Sequence, residues 1–462
     1  MVAAHSELNS PTGYPGHRKG RFSIFGPRER AGWMLYDWAN SAFVLCVITV
    51  LGSAYFIALF KSAAEAAGGR RLGPALALRV GGIDLTAEAA WSFIIAASAL
   101  IVAFSSPLLG ALADGLGRKK RFLQAYCLAG AVATLALWLS LPWWAVGLLI
   151  LTGNIAFEGG NVYYNAFLPQ IASQRDQILL SSYGYAAGYL GGVLVLIAAL
   201  VLFVPPKGSI NDAFIMIGIW WGGFGLLACA WLNEHPPQRR RRAEIGPVRE
   251  AWQEVKSTLL GIGRYPQAAR FLGAFLLYND GIATLISNAT PFALQNIYLD
   301  QSFSEKIGLN ELIPAIIMIQ IVAVPGSLAC AWLANRIGEK NTLFLTLAVF
   351  AGVVAYGQVV QVLSEFYVMS ALIGLVLGGA QAISRSVFAS LIPPGKHAEF
   401  FAFFALSSKF SAFAGPFIYG SLLLLTGDTR SALLSLVIFF AAGGVALYFV
   451  DLPRGRADAL NS

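Results

Sequence analysis

Ionisable and amide side chains interrupt several long apolar runs of the sequence, where they could bind a charged ligand. In the segment YDWANSAF, Asp37, Asn40 and Ser41 stand inside a run that is otherwise apolar from Trp33 to Phe60. If such a run crosses a bilayer, a charge at its centre costs about 2.5–3.5 kcal/mol on insertion scales, so it usually faces a partner or a water-filled path. Five residues share this setting: Asp37, Glu158, Asp280, Arg385 and Lys409.

Helical spacing places further polar residues on the same faces as these charges. Residues three or four positions apart lie on one side of a helix, so four sets of residues each form a polar stripe. The sets are Asp37, Asn40 and Ser41; Asn154, Glu158, Asn161 and Asn165; Asp280, Thr284 and Ser287; and Gln381 with Arg385. We interpret the stripes as the walls of a cavity. Carboxylates suit an ammonium group and arginine suits a carboxylate, so the mixture favours a zwitterionic ligand.

A structural role is the alternative for the same residues. Asp37 or Asp280 could pair with Arg385 or Lys409 to hold helices together, and Lys409 could face a neighbouring helix instead of a cavity. Several tyrosines could stack on a ligand, although aromatic residues at helical spacing more often pack in a core. They are Tyr163, Tyr164, Tyr183, Tyr185 and Tyr189.

The composition identifies the elements that must hold these residues. The chain has 462 residues, of which 57% are hydrophobic and 12% charged, and its mean hydropathy is +0.65. A helix that crosses a hydrocarbon core of about 30 Å needs roughly 20 mostly apolar residues. The sequence predicts twelve such helices, near 33–60, 89–112, 122–141, 143–168, 181–204, 212–232, 270–296, 311–334, 341–363, 365–392, 398–426 and 430–451. We therefore expect an all-α membrane protein.

Lysine and arginine are concentrated in the segments that would be cytoplasmic if both termini were inside, which sets the expected orientation. These segments include 118–121 and 239–242. The net charge of +8 is then explained by an anionic leaflet and needs no nucleic-acid partner. The four cysteines lie in different apolar runs without a CxxC pair. We expect no disulfide, no metal site and no cofactor.

Two parts of the chain repeat each other weakly. GALADGLGRK at 110–119 aligns with AWLANRIGEK at 331–340, and YDWANSAF has a counterpart in YNDGIAT at 278–284. The repetition predicts two pseudo-symmetric six-helix halves. The predicted parts are a cytoplasmic tail (1–32), a first half (33–232), a cytoplasmic linker with an amphipathic helix (233–269), a second half (270–451) and a second cytoplasmic tail (452–462).

The segment GALADGLGRKKR resembles the loop signature G-x-L-A-D-x-x-G-R-K of the major facilitator superfamily, which lies between the second and third spans in that family. A narrower resemblance, to the vacuole-effluxer branch named for autophagy-related fungal members, covers nearly the whole chain. It rests on WMLYDWANSAF, FEGGNVYYNAFLPQIA, SSYGYAAGYLGG, FLLYNDGIATLI and GGAQAISRSVFASLIPPGKHAEFFAFFALSSKFSAFAGP. The fungal members are associated with release of amino acids from the vacuole, whereas bacterial members are mostly unassigned.

The resemblance implies which residues bind solute and which gate the pathway. Helices one, four, seven and ten line the central cavity in this family, and they carry the four stripes. The expected binding or coupling residues are Asp37, Asn40, Glu158, Asn161, Asn165, Asp280, Gln381, Arg385 and Lys409. Asp114, Gly117 and Arg118 are expected to gate the cytoplasmic side, with the carboxylate of Asp114 capping the N-terminus of a facing helix. The second copy has Asn335 and Glu339 in place of the aspartate and the arginine, so its gate should be weaker or differently wired.

These features favour a secondary transporter over other classes. The sequence has no GxxxxGK[ST] segment to couple transport to ATP, so a solute, proton or other ion gradient would drive it. A membrane enzyme is disfavoured, since no histidine lies within the apolar runs and each cysteine is isolated. We expect a monomeric carrier of a small polar solute, an amino acid first, in a bacterial cell membrane. The alternatives are a carrier of a sugar, nucleobase or drug, or a scaffold that does not transport.

Overall fold

The computed structural model describes residues 28–72, 75–203, 208–234, 265–307, 309–394 and 428–460, with short pieces at 249, 252–253, 396–397, 400–401, 403–404, 415, 418–419 and 422. Some predictions lie outside the described residues. They are Lys409, most of the linker 233–269 with its amphipathic helix, and most of the eleventh predicted span.

Helices form along the apolar runs, because a backbone inside a bilayer must satisfy its hydrogen bonds internally. The described helices are α1 (Arg28–Ala42), α2 (Leu51–Ala66), α3 (Ala87–Leu116), α4 (Lys119–Ala136), α5 (Trp143–Ile171), α6 (Gln174–Leu202), α7 (Ile210–Trp231), α8 (Pro266–Asn296), α9 (Leu309–Ile337), α10 (Glu339–Tyr356), α11 (Leu363–Ser390), α12 (Thr429–Leu434), α13 (Leu436–Tyr448) and α14 (Leu452–Leu460).

Eight segments within the described residues are long and apolar enough to cross a membrane. They are Arg28–Ala66, Phe93–Leu116, Trp143–Ile171, Asp176–Leu202, Ile210–Trp231, Glu311–Ile337, Leu363–Ser390 and Thr429–Tyr448. Three more helices, α4, α8 and α10, lie at other predicted spans but are not among these eight. The expectation of a multi-pass helical protein is therefore confirmed, and the count of twelve stays a prediction.

A π-helical segment, Phe43–Val50, joins α1 to α2, so that one continuous helix runs from Arg28 to Ala66. The π-helix begins two residues after Ser41, the last residue of the first polar stripe. Such segments are frequent at functional sites because they change the direction in which neighbouring side chains point.

A small antiparallel sheet follows this helix and was not predicted from the sequence. Its strands are β1 (Arg70–Leu72), β2 (Ala75–Val80) and β3 (Ile83–Thr86), in that spatial order. Val80 pairs with Ile83, so Gly81 and Gly82 form a two-residue turn, and both have positive φ angles, 56° and 88°. A Gly-Gly pair between alternating apolar residues is a recognised hairpin signal, so the turn was readable from the sequence.

Helix packing brings the polar stripes together. α1 packs against α6 and α7, α9 packs against α11, and helices before the linker meet those after it where α6 contacts α9 and α11. Glycines permit the close crossings: a Cβ on Gly191 would lie 2.5 Å from the Trp38 carbonyl oxygen, and one on Gly326 would lie 2.4 Å from the Leu375 carbonyl oxygen. Small residues at crossings are typical of membrane helices, because dispersion contacts between backbones stabilise the pair.

Candidate functional site

A cavity of about 450 Å³ lies between α1, α5 and α6 on one side and α8, α9 and α11 on the other. Its volume is near the lower end of the range for small-molecule sites, about 300–1,000 Å³. Six of the predicted residues line it: Asp37, Asn40, Asn161, Asn165, Gln381 and Arg385. The structure thus joins polar stripes from α1, α5 and α11 in one chamber.

Two other predicted residues, Asp280 and Glu158, lie outside this lining. Asp280 is fully buried in α8, outside the cavity lining, and its Oδ2 accepts a hydrogen bond of 2.8 Å from the Gly415 backbone N–H. A Cβ at Gly415 would lie 2.1 Å from Thr284 Oγ1, so this contact requires glycine. Glu158 is half-buried on α5 and is also outside the lining. Helical spacing had placed both on polar faces, but it could not tell which neighbour those faces meet.

Arg385 lies at the floor of the cavity and is 3% exposed. Its Nε donates to Ser181 Oγ at 2.8 Å, and its Nη2 donates to the Ser181 carbonyl oxygen at 2.9 Å. Ser181 therefore occupies one whole edge of the guanidinium. The two-bond fork that a free carboxylate would use on that edge is taken by the protein itself.

The remaining contacts of Arg385 are longer. Nη1 donates to Asn165 Oδ1 at 3.3 Å and lies 3.6 Å from Asp37 Oδ2. The latter pair is the ion pair that the sequence raised as an alternative to ligand binding. It joins α11 to α1 at the base of the cavity, with side chains only 4% and 11% exposed.

Aromatic rings surround the guanidinium. Its carbon atom lies 4.6 Å from the ring centroid of Trp33, 5.4 Å from that of Tyr164 and 4.3 Å from that of Tyr185. Trp33 and Tyr164 stack on each other at 4.4 Å. Since ring faces attract cations, these aromatic residues stabilise the positive charge of Arg385 in addition to packing against each other. Of the tyrosines considered from the sequence, Tyr185 and Tyr189 line the cavity, whereas Tyr163 and Tyr164 belong to the core.

The polar face of α1 is only partly satisfied. Asp37 Oδ2 accepts a hydrogen bond of 2.6 Å from the Tyr164 hydroxyl, while no described residue donates to Oδ1. Asn40 Nδ2 donates to Asn161 Oδ1 at 3.1 Å, but the buried Asn40 Oδ1 has no partner among the described residues. Ser41 lines the cavity beside them.

The opposite wall combines an amide with a phenol. Tyr189 donates its hydroxyl to Gln381 Oε1 at 2.9 Å, which links α6 to α11. Gln320 of α9 also lines the cavity and was missed in the sequence, because it stands in an apolar run without a polar neighbour three or four positions away. Apolar side chains complete the lining farther from Arg385, and they include Val44, Leu45, Ile316 and Ile373.

Direct contacts close the chamber on the side of Arg385. Ser181 Oγ donates to the Ala382 carbonyl oxygen at 2.9 Å, and Ser327 Oγ donates to the Ser182 carbonyl oxygen at 3.3 Å. These bonds join α6 to α11 and α9 at the half of the helices that is nearer the first turn of α1, where Arg30 donates to the Ile171 carbonyl oxygen. The lining extends the other way, to Thr49, in the direction of the β-sheet.

The expected gate residues lie beyond this closed end. Asp114 forms an ion pair with Lys119 at 2.6 Å, and Gly117 turns the chain between α3 and α4 with a φ of 60°. Arg118 donates its backbone N–H to the Ala113 carbonyl oxygen. The structure therefore gives Asp114 of α3 a lysine partner at the start of α4, across the turn. Its predicted gating role stays a prediction.

The second copy of the loop has a different arrangement. Glu339, at the position equivalent to Arg118, forms an ion pair with Arg456 of α14, and Arg456 Nε also donates to Ser390 Oγ at 3.1 Å. Here the loop carries the acid and the C-terminal helix carries the base. The ion pair and the hydrogen bond join α10, α11 and α14.

Comparison with known proteins identifies the family. The model of the family described as "Vacuole effluxer Atg22 like" matches residues 26–460. The chain belongs to this family. It is 31% identical to the uncharacterized MFS-type transporter YxiO of Bacillus subtilis (strain 168), over 92% of this chain and 95% of that protein. It is 25% identical to autophagy-related protein 22 of Coccidioides immitis (strain RS), over 94% of this chain and 88% of that protein.

Solved structures agree on the fold. The crystal structure of the human organic anion transporter MFSD10 matches this chain with a TM-score of 0.70 at 16% identity, covering 91% of this chain and 99% of the other. The Atg22-like chain therefore has the all-α fold of major facilitator transporters and is a multi-pass membrane protein. The resemblance found in the loop signature and the longer motifs is confirmed.

Proposed function

We propose that this Atg22-like transporter carries an amino-acid-like solute across a bacterial cell membrane by alternating access. One observation carries the proposal: an acid and a base, Asp37 and Arg385, lie at the floor of a cavity of about 450 Å³ whose polar wall is made of side-chain amides. The carboxylate of this pair suits the ammonium group of an amino acid, and the neighbouring side-chain amides can donate to its carboxylate.

The apolar lining above this floor supports a solute with an aliphatic side chain. Val44, Leu45, Ile316 and Ile373 line that part of the cavity, so leucine is the first amino acid to test. With both termini cytoplasmic, as the distribution of lysine and arginine favours, the closed side is cytoplasmic and the chamber faces outward. The transporter would act as a monomer.

A polyhydroxylated solute such as a sugar is the second candidate. The amides of Asn161, Asn165 and Gln381 would suit hydroxyl groups, and Tyr185 offers a ring face beside them. A sugar would, however, bring no cationic group to the carboxylate of Asp37. The driving force in either case is a gradient of solute, protons or another ion, with Glu158 and Asp280 as further carboxylates that could couple to it.

Counterflow in proteoliposomes tests the proposal. Vesicles that contain the purified chain are loaded with one unlabelled solute and diluted into the same labelled solute at trace concentration. We expect leucine-loaded vesicles to accumulate labelled leucine transiently, whereas glucose-loaded vesicles accumulate no labelled glucose. Vesicles without protein are the control. Accumulation of glucose, and of none of the twenty amino acids, would overturn the proposal in favour of the sugar carrier.

A further inference from the structure

We propose that the polar face of α1 is a subsite for a primary ammonium group, and that the solute's carboxylate is bound by side-chain amides and not by Arg385. The subsite consists of Asp37, Asn40 and Ser41. This inference rests on the proposed function and names the chemical group that the site recognises, so it predicts which derivatives of an amino acid still bind.

The acceptors of the subsite are those that the protein leaves unused. An ammonium group has three N–H donors and no acceptor. Asp37 Oδ2 is engaged by Tyr164 and Arg385, but Oδ1 has no donor among the described residues. Ser41 lies one helical turn from Asp37 on the same face and lines the same cavity. Asp37 and Ser41 therefore offer a carboxylate oxygen and a hydroxyl oxygen on the same face of α1.

Asn40 supplies the third acceptor. Asn40 is 1% exposed, and its Oδ1 is buried without a partner in the described part of the chain, while the residue itself forms part of the cavity lining. A buried carbonyl oxygen without a donor is costly, so most such groups in proteins are paired. Its amide nitrogen is already bound to Asn161 Oδ1. The orphan oxygen indicates that a donor arrives with the solute.

Arg385 lacks the free edge that a carboxylate needs. Ser181 takes Nε and Nη2, and the rings of Trp33 and Tyr185 lie against the guanidinium. Only Nη1 has long contacts, and these go to Asn165 and Asp37. Arg385 is thus a positioning residue: its charge holds the carboxylate of Asp37 in place and balances it.

Amide nitrogens are the donors left for a carboxylate. The side-chain oxygens of Asn161, Asn165 and Gln381 are bound by Asn40, Arg385 and Tyr189 respectively. Because each of these amide oxygens already accepts a hydrogen bond, the amide nitrogens are the groups available to the solute. Neutral donors give weaker hydrogen bonds than the charge-assisted bonds of an ammonium to a carboxylate. The ammonium end should therefore dominate recognition.

Three ligands test whether the ammonium group contributes more to binding than the carboxylate. Binding of labelled L-leucine to the purified full-length protein is competed by L-leucine, L-leucinamide and N-acetyl-L-leucine. We expect leucinamide, which keeps the ammonium, to compete within about fivefold of leucine, and N-acetyl-leucine, which has lost it, to be at least about tenfold weaker, as for loss of charge-assisted hydrogen bonds.

Two variants of Asn40 sharpen the test. Asn40→Asp keeps an acceptor and should retain or raise the affinity for leucinamide, whereas Asn40→Leu should lower the affinities for leucine and leucinamide equally, by about tenfold. Asn154→Leu is the matched control, because Asn154 lies on α5 outside the cavity and donates to Ser98. Its affinity for leucine should equal that of the wild type.

The outcomes distinguish failure of the ammonium subsite from failure of the proposed amino-acid transport. If N-acetyl-leucine competes as well as leucine while leucinamide fails, the carboxylate is the recognised group, and the ammonium subsite is wrong although amino-acid transport stands. If Asn40→Leu binds leucine normally, the subsite is wrong as well. If no amino acid binds or exchanges, the proposed function itself fails.

Discussion

At the scale of single residues, Arg385 carries most of the structural argument. Its polar partners include Asp37 of α1, Asn165 of α5 and Ser181 of α6, whereas Arg385 itself belongs to α11. One side chain therefore connects the two parts of the molecule under the cavity. A residue in this position should affect stability and the change of conformation more than the affinity for solute.

Replacement of Arg385 by lysine separates these effects. A lysine keeps the charge but cannot hold both oxygens of Ser181 with a planar edge. We expect Arg385→Lys to lower the melting temperature of the purified protein by several degrees and leucine affinity by less than about tenfold, in line with loss of one or two buried hydrogen bonds. Arg336→Lys, at the exposed cation–π contact with Trp332, is the control. An affinity loss of a hundredfold or more at an unchanged melting temperature would mean that Arg385 binds the solute directly.

His397 gives a pH dependence on the side of the termini. Its side chain is 6% exposed, and burial, with a further effect of the Lys119 charge, lowers its pKa from 6.5 to about 3. Between these values the unfolded chain binds a proton that the folded chain does not, so stability falls as pH drops below about 6.5, by up to about 1.4 kcal/mol per pH unit. Melting temperatures should decline from about pH 7 to pH 5 less steeply for His397→Gln than for the wild type. Equal slopes would refute this assignment.

At the scale of elements, a substitution at the turn between α3 and α4 should affect the transport rate more than the affinity for solute. Asp114 pairs with Lys119 and lies outside the cavity lining, so we expect its removal to change the balance between conformations without touching the solute. We expect Asp114→Ala to lower the transport rate several-fold and to change the equilibrium affinity for leucine less than twofold. Uptake and binding are measured on the same preparation. Lost affinity with normal exchange kinetics would show that Asp114 has another role.

The helices and strands also show which features of the structure can be predicted from the sequence. Apolar runs located the helices, and helical spacing selected the faces of α1, α5 and α11 that line the cavity. Spacing could not predict that Asp280 turns to Gly415, because a helical face is defined locally whereas its neighbour is set by tertiary packing. For the same reason, spacing could not predict that Arg385 donates to Ser181, because the two residues are 204 positions apart. The β-hairpin was readable from Gly81 and Gly82 and was overlooked among the longer apolar runs.

At the scale of the whole molecule, the chamber is closed on one side and extends toward the other. The closure depends on bonds from α6 to α9 and α11, and the loops that carry Asp114 and Glu339 lie beyond it, nearer the termini. Alternating access requires these contacts to break when the opposite side closes. The Asp37–Arg385 pair lies at this boundary, so solute bound there would act on both parts at once.

A structure of the purified protein determined in saturating leucine tests the central claim most directly. The account predicts density for leucine in the cavity, with its ammonium nitrogen within about 3 Å of Asp37 and Asn40, the distance of a charge-assisted hydrogen bond. Its side chain should point toward Ile316 and Ile373. Leucine bound at another site, or an empty cavity under conditions in which leucine is transported, would contradict the account.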